Sequence, residues 1–340
     1  MSWFLFKRIL RAIFTVFVVT FIIFILIRMI PGDPVRMIVT GTAPKSAVEE
    51  LRKQLGLDKP ILVQFVYFLK DAIHGDLGES FFRSKHGAIG ESVAGSSSMR
   101  MEATKKGVKG LEEIKEGAHE RASVTSLIAE RFPLTLLLIG FALLIGFTLS
   151  LILAIVGSRS EKLGNSIEGI TVIIQSLPNF WLAIMFILIF AAKLKILPAV
   201  GYIGFSSLIL PSSVLALAFL PGAYKTMRDT LNRIQNETFI AYMKARGISK
   251  GRVFLHITKH FFSSIVTFLG LQWGPLFGNA IVVEYLFAIQ GMGTLFIYAV
   301  LQRDYPLIVG GVIVLSALFV TLNLIADIVY GILDPRVREW

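Results

Sequence analysis

Few residues of this chain have the type and spacing that covalent chemistry requires. None of its 340 residues is a cysteine, which excludes disulfides, thiolate nucleophiles and cysteine-ligated metal. The five histidines are scattered, and no two share a metal-ligand spacing with a carboxylate. Gly90-Glu91-Ser92-Val93-Ala94 comes nearest to a serine nucleophile elbow but lacks the second glycine of that turn. Neither a Gly-x-x-x-x-Gly-Lys-Ser/Thr phosphate loop nor a His-Glu-x-x-His zinc helix occurs, so no catalysis, no cofactor and no metal are expected. What remains is non-covalent chemistry: polar side chains set in apolar runs, and one basic stretch.

The polar side chains are informative because a charge at mid-bilayer costs about 2.5–3.5 kcal/mol on the insertion scale. Gln175, Asn179, Gln272, Asn279 and Glu284 are the candidates for contact with a substrate. For the amides, and for Asn323, a hydrogen bond between helices is the simpler account. Glu284 lies deeper in its run, with the outer interface as the alternative. Arg28 lies near the end of its run and can snorkel. Glu168 and Asp327 also lie near run ends, within reach of headgroups. So few central charges argue against an ion-driven carrier, which needs an intramembrane relay.

The basic stretch runs from Phe239 to His260, with five Lys or Arg residues, two His and no acid. Ile240, Met243, Ile248, Phe254 and Leu255 form a partial apolar stripe. Anchoring on anionic headgroups would explain the charge. It would not explain Gly247 between Arg246 and Ile248, or the small residues Ala241, Ala245 and Ser249. A short helix, a glycine break and a second helix would make a projecting knob.

These residues are positioned by apolar runs. Apolar residues make up 54% of the chain. They cluster in runs of about 20, the helical length that crosses a bilayer core. Six spans are predicted: Ile9–Ile30, Leu134–Val156, Ile170–Ala192, Ser207–Gly222, Phe261–Phe287 and Leu307–Leu333. The fourth is short and is interrupted by Pro211 and Pro221. The pattern is that of an all-α polytopic membrane protein, and the net charge of +11 lies in short connections rather than in a nucleic-acid surface. Lys7, Arg8 and Arg11, Arg159 and Lys162, the connection from Lys225 to Lys259, and Arg336 and Arg338 fall on one side. Both termini are therefore expected to be cytoplasmic. Residues 31–131 form a long outer loop with an amphipathic helix around Leu62, Phe65, Val66 and Leu69. Its Gly/Ser/Lys/Glu-rich part, about 84–121, reads as a mobile insertion with a short helix near Leu111–Glu120 and room for a partner site. Residues 132–333 form the core, with a cytoplasmic loop at about 223–260 and a tail at 334–340. Gly274-Pro275-Leu276-Phe277-Gly278, Gly310-Gly311 and Pro178 suit close packing and bending.

Several motifs carry a resemblance. Arg28-Met29-Ile30-Pro31-Gly32-Asp33-Pro34, Leu55 to Pro60, His74 to Ser80, Arg131 to Leu138 and Ser176 to Trp181 run in order. The same order continues through Gly270-Leu271-Gln272, Gly291-Met292-Gly293, Gln302 to Pro306 and the ending from Asp327 to Arg338. In these the chain resembles B-type permeases of ATP-binding-cassette importers of the dipeptide/oligopeptide/nickel group. The family's cytoplasmic loop, Glu-Ala-Ala, three residues, Gly, then a distant Ile-x-Leu-Pro, is matched from Ala241 to Gly247. Its Glu, its first Ala and its late Pro are absent here, and about 84–121 resembles nothing in the group.

The resemblance implies a type I importer fold. It also implies an ATPase-coupling loop at Ala241, Met243, Ala245, Arg246, Gly247, Ser249 and Lys250, and a pathway that the five polar residues above would line. The implied partners are a second homologous permease subunit, two ATPase subunits, an extracytoplasmic solute-binding protein and membrane lipid. Peptides are the commonest cargo of the group, and nickel or another small solute is the alternative. A scaffold that recruits a cytosolic protein is the competing class.

Overall fold

In the computed structural model, residues 2–29, 45–54, 56–84 and 121–333 are described. The expected helix near Leu111–Glu120, the motif residues 30–34 and the tail at 334–340 lie outside them. The described elements are α1 (Ser2–Met29), α2 (Lys45–Gln54), α3 (Ile61–Ile73), β1 (Glu79–Ser84), β2 (Arg121–Ser123), α4 (Val124–Gly157) and α5 (Glu161–Ser176). Then follow α6 (Asn179–Phe186), which continues as a π-helical turn at Ile187–Lys193, α7 (Ser206–Gln235), α8 (Thr238–Ala245), α9 (Lys250–Leu286), α10 (Met292–Gln302) and α11 (Tyr305–Leu333). Among them α1, α4, α7 and α11 are long and apolar enough to cross a membrane, and α5 with α6 makes a fifth such span when counted as one. The structure is mostly helical, and β1 and β2 pair antiparallel at the two ends of the predicted insertion, Ser84 opposite Arg121.

The chain divides into two compact units. One comprises Met1–Ala12, Phe132–Thr294 and Leu318–Trp340; its core joins Leu138, Ile139 and Ala142 of α4 to Val214, Leu215, Phe219 and Tyr224 of α7 and Ile265, Leu276 and Val283 of α9. The prolines do not shorten the fourth span. α7 runs 30 residues through Pro211 and Pro221, and 67% of its apolar window is buried against 11% for α1, so α7 is a central helix. Prolines are tolerated in spanning helices whose neighbours satisfy the freed groups. α7 is tied to its neighbour α4 by Ser150 Oγ, which donates to the Leu220 carbonyl at 3.4 Å, and by Ser212 Oγ, which donates to the Leu138 carbonyl at 3.3 Å. Lys225, Arg228 and Arg233 consequently belong to a helix and not to a loop.

The third span is also corrected. α5 and α6 meet at 94°. A residue before proline is pushed out of the α region, and Leu177, ahead of Pro178, is extended at φ −85° and ψ 131°. Gly274 packs closely on Phe319, as the small-residue reading predicts, whereas a Cβ on Gly278 would meet nothing within 4 Å.

The other unit, Ile13–Arg131 with Leu295–Ala317, contains the predicted amphipathic helix as α3. Phe65 of α3 is buried against Phe17, Phe21 and Phe24 of α1, with ring centroids 5.0–5.7 Å apart. Leu62, Val66 and Ile73 remain exposed along an adjacent face.

Candidate functional site

The protrusion forms because two backbone features close it. α7 stops at Gln235, and Glu237 turns the chain at φ −65° and ψ 138° into the eight residues of α8. The Glu237 carbonyl accepts from the amides of Ile240 and Ala241. At the far end the Gly247 amide donates to Lys244 and the Ile248 amide to Met243, at 3.0 and 3.1 Å. That pair is a Schellman motif, whose C′ residue must be left-handed. Gly247 fills it at φ +72°. A Cβ there would meet nothing within 4 Å, so glycine is required for conformation and not for space. Ser249, extended, then starts α9, and its carbonyl accepts from Arg252 and Val253.

The floor of the protrusion is buried and its crest is open. Ile240 is fully buried, and Ile234 and Val253 nearly so; burying one such side chain stabilises by roughly 1.5–3 kcal/mol. Phe239 sets its ring 5.4 Å from that of His260 on α9. Ala241, Ala245, Arg246, Gly247 and Ser249 are exposed, Met243 is half-buried, and the Lys250 side chain lies outside the described ones. Tyr242, Phe254 and Leu255 are exposed as well. The surface thus alternates cations with apolar and small side chains. It offers shape, charge and a rigid turn, but no group placed for bond-making.

The five polar candidates do not converge. Asn179 Nδ2 donates to Asn279 Oδ1 at 2.7 Å, a bond between α6 and α9 of the kind expected for amides in spans. Gln175 is exposed at the end of α5, and Gln272 is half-buried on α9. Glu284 is fully buried rather than placed at an interface. Its carboxylate accepts from Thr135 Oγ1 at 2.5 Å and from the amides of Gly293 and Thr294 at 2.7 and 3.2 Å. It sits on the N-terminus of α10, where free amides favour an anion. A Cβ at Gly291 would come within 2.4 Å of that carboxylate, which explains the glycines of Gly291-Met292-Gly293.

Composition and periodicity missed three further sets of contacts, of whose residues the quoted motifs carried only Ser80, Asp304 and Asp327. Asp304 heads α11, with Oδ1 near the Leu307 amide and Oδ2 accepting from Ser80 Oγ. Arg228 of α7 is buried and donates to Glu168 Oε2 at 2.8 Å and Asn165 Oδ1 at 2.9 Å on α5, while Tyr224 Oη donates to the Gly164 carbonyl at 2.8 Å. Asp327 pairs with Arg8. Glu168 and Asp327, expected at headgroups, are therefore ion-paired within the protein.

Long apolar helices with a hydrogen-bonded, exposed protrusion mark a membrane-embedded protein. The comparisons identify the kind. Residues 130–339 match the model of the binding-protein-dependent transport system inner membrane component, and residues 1–104 match its N-terminal counterpart. The chain belongs to this family: it is a multi-pass permease subunit of an ATP-binding-cassette importer, not itself an enzyme, and such a subunit works with ATPase and substrate-binding partners. It is 30% identical to a protein of Brucella abortus (strain 2308) provisionally named a peptide transport system permease protein, over 98% of both chains. It is 31% identical to the glutathione transport system permease protein GsiC of Escherichia coli (strain K12), over 98% of this chain and 97% of that one.

Proposed function

We propose that the chain forms half of a path for peptides, with a second permease subunit supplying the other half. On this reading two ATPase subunits grip the Ala241–Lys250 protrusion from the cytoplasm, and an extracytoplasmic binding protein delivers the solute. The observation that carries the reading is the protrusion: a turn fixed by two backbone hydrogen bonds, anchored on a buried isoleucine and open at its crest. The names of the relatives favour peptide or glutathione-like cargo over nickel and over a scaffold. α9 is the sixth span: its 37 residues extend about 55 Å, enough to enter the cytoplasm and still cross. The Arg8–Asp327 pair supports placing both termini on one side, and the basic connections support the cytoplasmic side of the cell membrane.

Labelling tests the orientation cleanly because the chain has no native cysteine. Ala245→Cys in intact cells should resist an impermeant maleimide and react once the membrane is opened. Reaction from outside would remove the protrusion from any cytosolic ATPase and end the reading. Co-reconstitution with its ATPase and permease partners should give uptake of a tripeptide that depends on ATP and on the binding protein. Nucleotide-independent recruitment without uptake would favour the scaffold instead.

A further inference from the structure

We infer that the α1–α3–α11 unit holds a phospholipid headgroup of the ethanolamine type at the end of α1. A cavity of about 490 Å³ lies there, bounded by the last turn of α1, the start and middle of α3 and the first turn of α11. Two side chains in its lining have polar atoms without a hydrogen-bond partner among the described residues. Arg28 uses Nε to donate to Gln64 Oε1 at 2.9 Å, and its guanidinium lies 3.5 Å from the Phe24 ring centroid, which leaves both terminal nitrogens free. Tyr305 is 7% exposed, and its hydroxyl is buried with no partner. Buried hydroxyls rarely stay unpaired, and an arginine fork matches a phosphate edge. Lys59 adds a second cation to the same lining, held 4.3 Å over the Tyr67 ring.

The remaining charges select the rest of the ligand. Asp71 and Glu79 line the same cavity and balance the two cations, so the site suits a zwitterion with an oxyanion and a primary ammonium. The exposed stripe Leu62, Val66 and Ile73 on α3, with Leu26 and Met29 on α1, offers apolar surface for acyl chains. That surface favours a lipid over a free solute, although a peptide carries the same two charged ends. The inference rests on the permease reading above and on residues 31–131 being an outer loop, but its test does not.

The full-length chain is placed in nanodiscs of equal phosphatidylethanolamine, phosphatidylcholine and phosphatidylglycerol, and lipids retained after transfer to detergent are counted by native mass spectrometry. The wild type should retain phosphatidylethanolamine preferentially, and Arg28→Gln should lower that retention about tenfold, the loss expected for a charge-assisted contact. Tyr305→Phe removes only an unpartnered hydroxyl, so it should fold normally and still lose retention; it decides the matter where Arg28→Gln unfolds. Equal retention of the three lipids, or retention unchanged in Tyr305→Phe, overturns the inference. Trialanine that displaces the retained lipid in the wild type but not in the variants would assign the site to the solute and overturn the lipid. The assay needs neither ATPase nor orientation, so loss of peptide uptake would leave its result standing.

Discussion

Gly247 is where the proposed function can be tested against a number. Its φ of +72° puts it in the left-handed region, and the open space around it removes steric clash from the ledger. An L-residue there costs roughly 1–2 kcal/mol, all of it backbone. Gly247→Ala should therefore lower the population of the closed turn by a factor of about 5–30. Asparagine tolerates this region best among non-glycine residues, and a β-branched side chain tolerates it worst. The expected order of tripeptide uptake and of binding-protein-stimulated ATPase activity, in proteoliposomes with the partner subunits, is Gly, Asn, Ala, Val. Insertion is controlled by labelling a single introduced cysteine. Full activity in Gly247→Val would refute the requirement for this turn. Equal losses in Asn and Val would show that side-chain bulk against the ATPase, and not backbone conformation, governs coupling.

Ala288 adopts φ +50° in the turn after α9, so Ala288→Gly should raise stability by about 0.5–1 kcal/mol, read as a higher Tm in detergent. Thr135→Val removes a donor from Glu284 and the acceptor of the Met292 amide; a loss of about 2–3 kcal/mol in denaturant unfolding is expected, and a neutral result would deny the network. Arg228→Met removes the partner of Glu168 at 2.8 Å and leaves Lys225, 3.4 Å away, as its remaining cation. It should destabilise by about 1–3 kcal/mol, and Arg228→Met combined with Glu168→Leu should recover part of that in a double-mutant cycle, a pattern that purely additive losses would contradict.

Legibility in the sequence followed the physics of each feature. α1, α4 and α11 announce themselves because lipid demands an uninterrupted apolar run, and the glycine break at Gly247 was visible because few residues accept that conformation. α7 was read too short: proline counts as a breaker in water, but α7 is packed among α4, α5 and α9, and burial of its apolar faces holds it helical through both prolines. The bend at Pro178 was signalled by a proline, yet its size depends on how α6 packs, which no local pattern encodes. Glu284 was ambiguous for another reason. A carboxylate in an apolar run looks alike whether it meets a solute or helix N-terminal amides 9 and 10 residues onward; only the geometry separates the two. The partnerships Thr135–Glu284, Ser80–Asp304 and Glu168–Arg228 join residues 149, 224 and 60 positions apart, beyond any periodicity.

The roots of the protrusion bear on how it would transmit force. It is attached through the end of α7 and the start of α9, and α7 packs more extensively against α9 than against any other helix. Arg228 lies seven residues before the end of α7, about 10 Å along the axis, and there it locks α7 to α5. Farther along α9, Asn279 ties that helix to α6 through Asn179. A displacement imposed at residues 241–249 therefore enters a body of four bonded and packed helices, because no flexible tether intervenes to absorb it. The protrusion's own hydrogen bonds make the same point at smaller scale: Gly247 bends the chain once and holds it, and so serves as a fixed corner. If ATPase subunits move this corner, the compliance needed for alternating access must lie outside the α5–α6–α7–α9 group, at contacts weaker than those that hold it together.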